Sequence, residues 1–331
     1  MTVRSCLVTG ASGFIGRVLC AFLQRQGCRV RALLRRETEG PGDEAVFCKL
    51  GYDSLPEQSM QGIDIVFHLA GMVHTMTPGK AEKPVYEKVN VRGSLAVARA
   101  AEQSAVRRFV YFSSVKAVGD PGEKCVDERW QALPQDPYGL SKREAERRLL
   151  GLGRHSTMQV SVLRPALVYG PEAKGNLHRM IEAVDGWRFP PLPQTGNRRS
   201  MVHVDDLIEA AWLVATHPRA NGEVYIVSDG EAYSSRQIYE WITAALGRKL
   251  PAWDIPVPVL GIAARVGDVV QRVARCRVPF NSEVLARLTG SACYEAGKLR
   301  QDLEWRPRRR LYEALPDMVA AYRQLRPSKP G

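Results

Sequence analysis

"SCLVTGASGFIGRVLCAFLQRQGCRVRALLRR", residues 5–36, reads as strand, glycine turn, helix, strand. Cys6 to Thr9 are apolar enough for a buried strand. Gly10, Gly13 and Gly16 follow at GxxGxxG spacing. Phe14, Ile15, Val18, Leu19, Phe22 and Leu23 then repeat at helical period until Gly27, and Val30 to Leu34 supply a second strand. Glycines so placed let the backbone turn tightly and approach a pyrophosphate. The helix start behind them offers N–H groups and the positive end of its dipole. Gly10, Gly13, Phe14, Ile15 and Gly16 are therefore expected to form a dinucleotide cradle. An acid at the end of the second strand would bind a ribose 2′-hydroxyl. Here Leu34 is followed by Arg35 and Arg36. Guanidinium groups suit a 2′-phosphate, so NADP(H) is expected ahead of NAD(H).

Three further stretches extend the pattern: "DIVFHLAG" (64–71), "RFVYFSSVKAVGD" (108–120) and "VSVLRPALVYGP" (160–171). Each reads as a buried strand ending in small or polar residues. Strands alternating with helices predict an α/β fold, a Rossmann-type doubly wound parallel sheet, with its site at the strand C-termini.

The bulk properties narrow the function. The chain has 331 residues, 45% hydrophobic and 25% charged, ample for a large core or two lobes. Its formal net charge is +12. The basic residues are dispersed apart from Arg306 and Arg308 to Arg310, and no nucleic-acid motif accompanies them, so no nucleic-acid partner is expected. A basic surface fits an anionic small molecule, or an acidic membrane face, equally well. No signal-peptide pattern is evident, and no uncharged apolar run is long enough to span a membrane. The stretch 257–273 comes nearest, but Arg265, Asp268 and Arg272 interrupt it, so it predicts an amphipathic helix facing the core. Seven cysteines show no CxxC pairing. They are expected to be reduced and buried, as in a cytoplasmic protein, with no metal site.

"PYGLSKREAERRL" (137–149) is the remaining chemical signal. Asp136 is a good helix N-cap and Pro137 suits the first helical position. Leu140, Ala145, Leu149 and Leu150 form a rough apolar stripe on a charged helix. Tyr138 and Lys142, four residues apart, share a face. Either the ring packs on the lysine stem as a surface contact, or the ammonium draws the phenol pKa down for proton transfer near neutral pH.

The order of "TGASGFIG", "HLAG", "NVRGS", "FSSVKAVG", "YGLSK", "RPALVYGP", "RRSMVHVDDL" and "LEWRPRRRLYEALPDMVAAYR" resembles the extended short-chain dehydrogenase/reductase superfamily, the NAD-dependent epimerase/dehydratase family. The resemblance covers nearly the whole chain. It implies a catalytic group of Ser114, Tyr138 and Lys142. Ser114 is preferred over Ser113 because the family's reactive hydroxyl stands five residues before the glycine matched by Gly119. It implies that Ser114 bonds the reacting sugar oxygen, that Tyr138 transfers the proton, and that Lys142 holds the nicotinamide ribose. Leu69, Ala70, Asn90 and Pro165 would join the cofactor site. Lys116, Asn176, Arg199 and Arg287 would contact the substrate.

The same comparison marks departures. Family dehydratases carry an Asp-Glu pair after the reactive hydroxyl, where this chain has Val115 and Lys116. Valine cannot transfer protons, so dehydration of that type is not expected. A family acid near adenine would fall near Tyr52. "SSVKAVGD", "DPYGLSKREAE" and "YGPEAKGNLHRM" look most like bacterial O-antigen enzymes similar to UDP-N-acetylquinovosamine dehydrogenases. That implies reduction of a UDP-4-keto-6-deoxy-N-acetylhexosamine. The alternatives are a UDP-hexose or UDP-N-acetylhexosamine 4-epimerase and a catalytically silent dinucleotide-binding protein. The expected organisation is a nucleotide-binding lobe over 1–170, rejoined by 199–229, and a substrate lobe of 171–198 and 230–331. A homodimer is expected from the family.

Overall fold

The structure is a computed structural model, and it describes residues 4–37, 40–72, 82–173, 175–274, 276 and 278–325. Seven parallel strands make the central sheet: β1 (Ser5–Thr9), β2 (Arg29–Leu34), β3 (Glu44–Phe47), β4 (Ile65–His68), β5 (Arg108–Phe112), β6 (Gln159–Pro165) and β7 (Val224–Val227). Their spatial order is β7-β6-β5-β4-β1-β2-β3. Val8 of β1 pairs with Ala32 on one side and Phe67 on the other, so the sheet order reverses between β1 and β4. This is the Rossmann-type doubly wound fold, and its switch point lies beside the glycine turn.

Both faces of the sheet are covered, which is why its strands read as nearly continuous apolar runs. Cys6 and Val8 of β1, with Val110 and Phe112 of β5, face one layer. That layer is α1 (Phe14–Arg25) and a helix at Val204–Thr216, through Leu19, Leu23, Leu207 and Ala211. Leu7, Phe109 and Tyr111 face the other. There the cover is α2 (Ser94–Gln103) and α3 (Pro137–Arg154), through Val97, Ala101, Ala145 and Leu149. A third cluster packs Ile181 of α4 (Asn176–Asp185), Ile242 of α5 (Ser235–Ala245) and Leu315 of the Leu311–Leu325 helix. A smaller sheet joins Leu167–Tyr169, Arg199–His203 and Ala232–Tyr233.

Two expectations are corrected. The amphipathic helix forms as α6 (Val257–Ala274), but it does not face the core: only Leu260 and Ala264 are buried. Val259, Val266, Val269, Val270 and Val273 lie on the opposite side, because α7 (Ser282–Thr289) is the main neighbour and covers only one flank. The cysteines are not all free thiols either. Cys125 and Cys293 are disulfide-bonded, and Cys276 is exposed. Their strands, Cys125–Val126 and Cys293–Tyr294, pair in parallel with the two cysteines directly opposite. Sequence spacing carries no trace of a contact between positions 168 residues apart. Denatured, unreduced protein is expected to titrate five thiols with a thiol reagent, rising to seven after reduction. Seven without reduction would remove the bond.

Candidate active site

The first turn of the site is built by backbone alone. β1 delivers the chain to Gly10, whose φ of +70° suits glycine. A Cβ there would lie 2.9 Å from the Ala70 nitrogen, and one on Gly16 would collide with the Gly10 carbonyl. Gly13 donates its N–H to Gly10 O at 3.0 Å and gives α1 no side-chain cap. The first-turn N–H groups of α1 thus take no side-chain acceptor, in a cradle that a larger residue would fill. These features fit a dinucleotide pyrophosphate. Arg35 and Arg36 follow β2 and are exposed, while Leu34 is buried.

Beneath the turn runs a buried polar chain that sequence analysis missed. Ala70 N donates to Thr9 Oγ1 at 3.0 Å, and Thr9 Oγ1 meets His68 Nδ1 at 2.7 Å. His68 Nε2 meets Ser94 Oγ at 2.8 Å, and Ser94 donates to Asn90 O at 2.6 Å. Ser94 therefore accepts from His68, which fixes the proton on Nε2 and makes Thr9 the donor to Nδ1. Burial, with the nearby Lys142 charge, pushes the His68 pKa down to about 3. The signal was present: a histidine inside an otherwise apolar strand needs partners.

Asn90 sits in a π-helical turn (Glu87–Gly93) ahead of α2, the kind of local widening often found at functional sites. Its Oδ1 accepts from Met72 N at 2.7 Å, and its Nδ2 donates to Met72 O and Ser141 Oγ. Ser141 in turn donates to Tyr138 O at 2.7 Å. A Cβ on Gly71 would lie 3.1 Å from Asn90 Oδ1 and 3.4 Å from Lys142 Nζ, so both side chains meet at the end of β4.

Ser114, Tyr138 and Lys142 converge at the end of β5. Ser114 follows the strand and caps the short turn Val115–Val118, its Oγ accepting from Lys116 N at 3.2 Å. α3 starts where the sequence indicates: Asp136 accepts from Gly139 N at 2.9 Å and Pro137 opens the helix. Lys142 is buried, donates to Phe112 O at 2.9 Å and lies 4.7 Å from the Tyr111 ring centroid. Burial pushes its pKa down to about 8, against the opposing pull of Glu146.

The phenol corrects an expectation. Its pKa is pushed up to about 12, by burial first. A hydrogen bond from Ser114 works downward, while Asp136 and Tyr86 work upward. The charge arrangement was to be read from a helix face, but desolvation dominates it. Leu140 is also exposed, and the buried face of α3 instead carries Lys142 and Glu146. Glu146 grips Arg164 of β6 through two hydrogen bonds, at 3.0 and 2.6 Å.

The remaining expected residues are more dispersed. Leu69 and Ala70 lie half-buried after β4, and Pro165 ends β6 opposite Val227. Arg199 is mostly buried, with a lowered pKa from burial, and donates to Arg287 O at 2.6 Å and Gly290 O at 3.1 Å. The structure thus brings Arg199 to the end of α7, where the Arg287 guanidinium pairs with Glu283. Lys116 is exposed beside Ser114, and Asn176 is exposed at the first turn of α4. Tyr52 lies beneath two ammonium groups, Lys49 at 4.3 Å and Lys88 at 3.7 Å, where an acid was sought. A cavity of about 380 Å³ lies apart, lined by Phe14, Pro171, His203, Asp205 and Arg309 among others; of the expected site residues it holds only Phe14.

The Rossmann-type sheet, with this edge, defines an extended short-chain dehydrogenase/reductase. Residues 6–228 match the model of the NAD dependent epimerase/dehydratase family, and the chain belongs to that family of enzymes. A UDP-glucose 4-epimerase from Vibrio cholerae is 30% identical over 332 residues, 97% of this chain and 96% of that one. A 4-hydroxy-2-methyl-3-oxo-4-farnesyl-3,4-dihydroquinoline-1-oxide ketoreductase from Stigmatella aurantiaca is 28% identical, covering 82% and 83%. The solved structure of MoeE5 in complex with UDP-glucose and NAD superposes with a TM-score of 0.75 at 25% identity, covering 97% and 99%. No helix among the described residues is long and apolar enough to cross a membrane.

Proposed function

We propose that the enzyme carries out oxidation and reduction at C4 of a UDP-hexose or UDP-N-acetylhexosamine, with 4-epimerisation as the net reaction. The similarity to the Vibrio cholerae epimerase along almost both whole chains carries this reading. The grouping of Ser114, Tyr138 and Lys142 beside an uncapped glycine turn supports it.

In this reading Tyr138 takes the O4 proton as C4 is oxidised and returns it as C4 is reduced. Ser114 donates to O4 and steadies the charge that builds there. Lys142 and Asn90 position the nicotinamide ribose, held from behind by Phe112 O and Met72. Bound at the glycine turn, the nicotinamide supplies the hydride acceptor and donor. Arg199 and Arg287 would face the diphosphate, with Asn176 and Lys116 at the sugar side. The segments 171–198 and 230–331 would form the substrate lobe, and the assembly would be a homodimer in the cytoplasm.

A second reading is favoured by Arg35 and Arg36, which suit a 2′-phosphate. It is NADPH-dependent reduction of a UDP-4-keto-6-deoxy-N-acetylhexosamine in O-antigen synthesis, and the ketoreductase relative is in keeping with it.

One experiment separates them. We expect purified protein to interconvert the C4 epimers of UDP-glucose or UDP-N-acetylglucosamine with no net change in nicotinamide absorbance. Rapid loss of NADPH absorbance with the 4-keto sugar, and no epimer formed, would replace epimerisation by reduction. A rate with NADPH above that with NADH, lost in Arg35→Ala/Arg36→Ala, would assign the 2′-phosphate to those arginines.

A further inference from the structure

Helix α6 is amphipathic in the wrong sense for a core helix. Val259, Ile262, Val266, Val269, Val270 and Val273 are 43–79% exposed, whereas Leu260 and Ala264 are buried. At 3.6 residues per turn the six exposed positions fall within roughly 120° of arc, opposite Leu260 and Ala264. The buried flank is fixed by polar contacts: Asp268 accepts from the Ser282 N–H and hydroxyl, and Gln271 Oε1 accepts from Asn281 Nδ2 at 3.2 Å. The outer stripe is therefore a stable feature of a well-anchored helix.

Its surroundings say what chemistry would cover it. Arg265 and Arg272 run along one edge of the stripe, both exposed. Asp268, the one acid of the helix, is taken up by Ser282, and Glu283 of α7 pairs with Arg287. The sequence adds Arg275 and Arg277 just beyond the helix, within a chain of net charge +12. Trp253, four residues before the helix, is 62% exposed, beside exposed Leu250 and Lys249. An apolar face with a basic border and a tryptophan at its end matches the boundary between anionic headgroups and acyl chains. A second copy of the same face would bring arginines together without acids to pair them.

We propose that α6 docks the enzyme flat on an anionic phospholipid surface, its valine and isoleucine side chains entering the acyl boundary and Arg265 and Arg272 meeting the headgroups. At 18 residues and with one basic edge, the helix lies on the bilayer and does not span it.

The test is flotation of the purified full chain with vesicles of phosphatidylcholine alone and of phosphatidylcholine mixed with phosphatidylglycerol. The protein is expected to float with the mixed vesicles and to be released by high salt. Ile262→Ser/Val266→Ser/Val269→Ser should weaken binding at least about tenfold. Each of Arg265→Gln and Arg272→Gln should weaken it about fivefold on anionic vesicles only. All these positions are exposed, so melting temperature and activity on a soluble UDP-sugar should stay unchanged, which separates this inference from the proposed reaction. Failure to float with mixed vesicles, or equal flotation of wild type and the triple variant, overturns it. So does a wild-type dimer that light scattering shows split by the triple variant, since the face would then belong to a second copy.

Discussion

Tyr138→Phe is expected to remain folded and to bind dinucleotide as before, yet to lose C4 turnover by about a thousandfold or more. In the proposed reaction the phenol oxygen exchanges the proton at the substrate, and positioned acid–base groups contribute about 10² to 10⁴. The same oxygen shares a hydrogen bond with Ser114, so its removal also unsettles the hydroxyl proposed to steady O4. The ring itself stays: it packs against Tyr86, with centroids 6.0 Å apart, and phenylalanine keeps that contact. Steady-state rates on a UDP-hexose, beside dinucleotide titration, check this. Turnover within tenfold of wild type would take Tyr138 out of the chemistry.

The pKa of about 12 adds a condition. A phenol that high is almost wholly protonated at neutral pH, ready to donate to a ketone but poor at accepting from an alcohol. Oxidising C4 then requires positive charge brought near the ring. Lys142 is the protein's own cation on that helix face, and its depressed pKa of about 8 means it loses charge as pH rises through that value.

Glu146→Ala is expected to be the most destabilising single change at the site, costing about 3–5 kcal/mol. Glu146 and Arg164 are buried together, with side chains 4% and 8% exposed and two hydrogen bonds between them. Removing one partner strands the other charge without solvent. Breaking a buried pair costs that much, although the intact pair adds little beyond an apolar replacement. Thermal unfolding should show a fall of at least about 5 °C. Glu146→Leu combined with Arg164→Met should recover most of the loss. If the double variant is as unstable as the single one, the pair is not the cause. Loss of Glu146 also removes the group that holds Lys142 protonated, so the lysine pKa should fall further.

How far these features could be read from the chain depended on the range of the interaction behind them. The glycine turn, the α1 stripe, the Asp136 cap and the spacing of Tyr138 and Lys142 are local, and local backbone geometry is written in consecutive residues. The parallel, doubly wound character of the sheet followed from strands alternating with helices. Glu146 was not legible, because a glutamate among arginines reads as a solvated surface until β6 places Arg164 beneath it. His68 was hidden for the same reason: its partners come from β1 and α2. The Cys125–Cys293 bond and the outward turn of α6 depend on how distant segments pack. The phenol pKa depends on desolvation, which no spacing records.

One seam has a consequence for how the enzyme is made. Ala292 exchanges backbone hydrogen bonds with Arg198 and Ser200, at 2.7 and 2.9 Å, and the next residues pair with the strand that begins at Cys125. A stretch near the C-terminus thereby holds the Arg199 strand and the segment that follows Ser114. During synthesis the nucleotide sheet can close once β7 has emerged, since domains fold as the chain appears. The substrate side must wait for residues 292–294. A chain cut short before that point would keep the strand ladder but lose this brace, and with it Leu299, Leu303 and Trp305, which pack into the layer behind the glycine turn, so the late residues complete both halves of the enzyme.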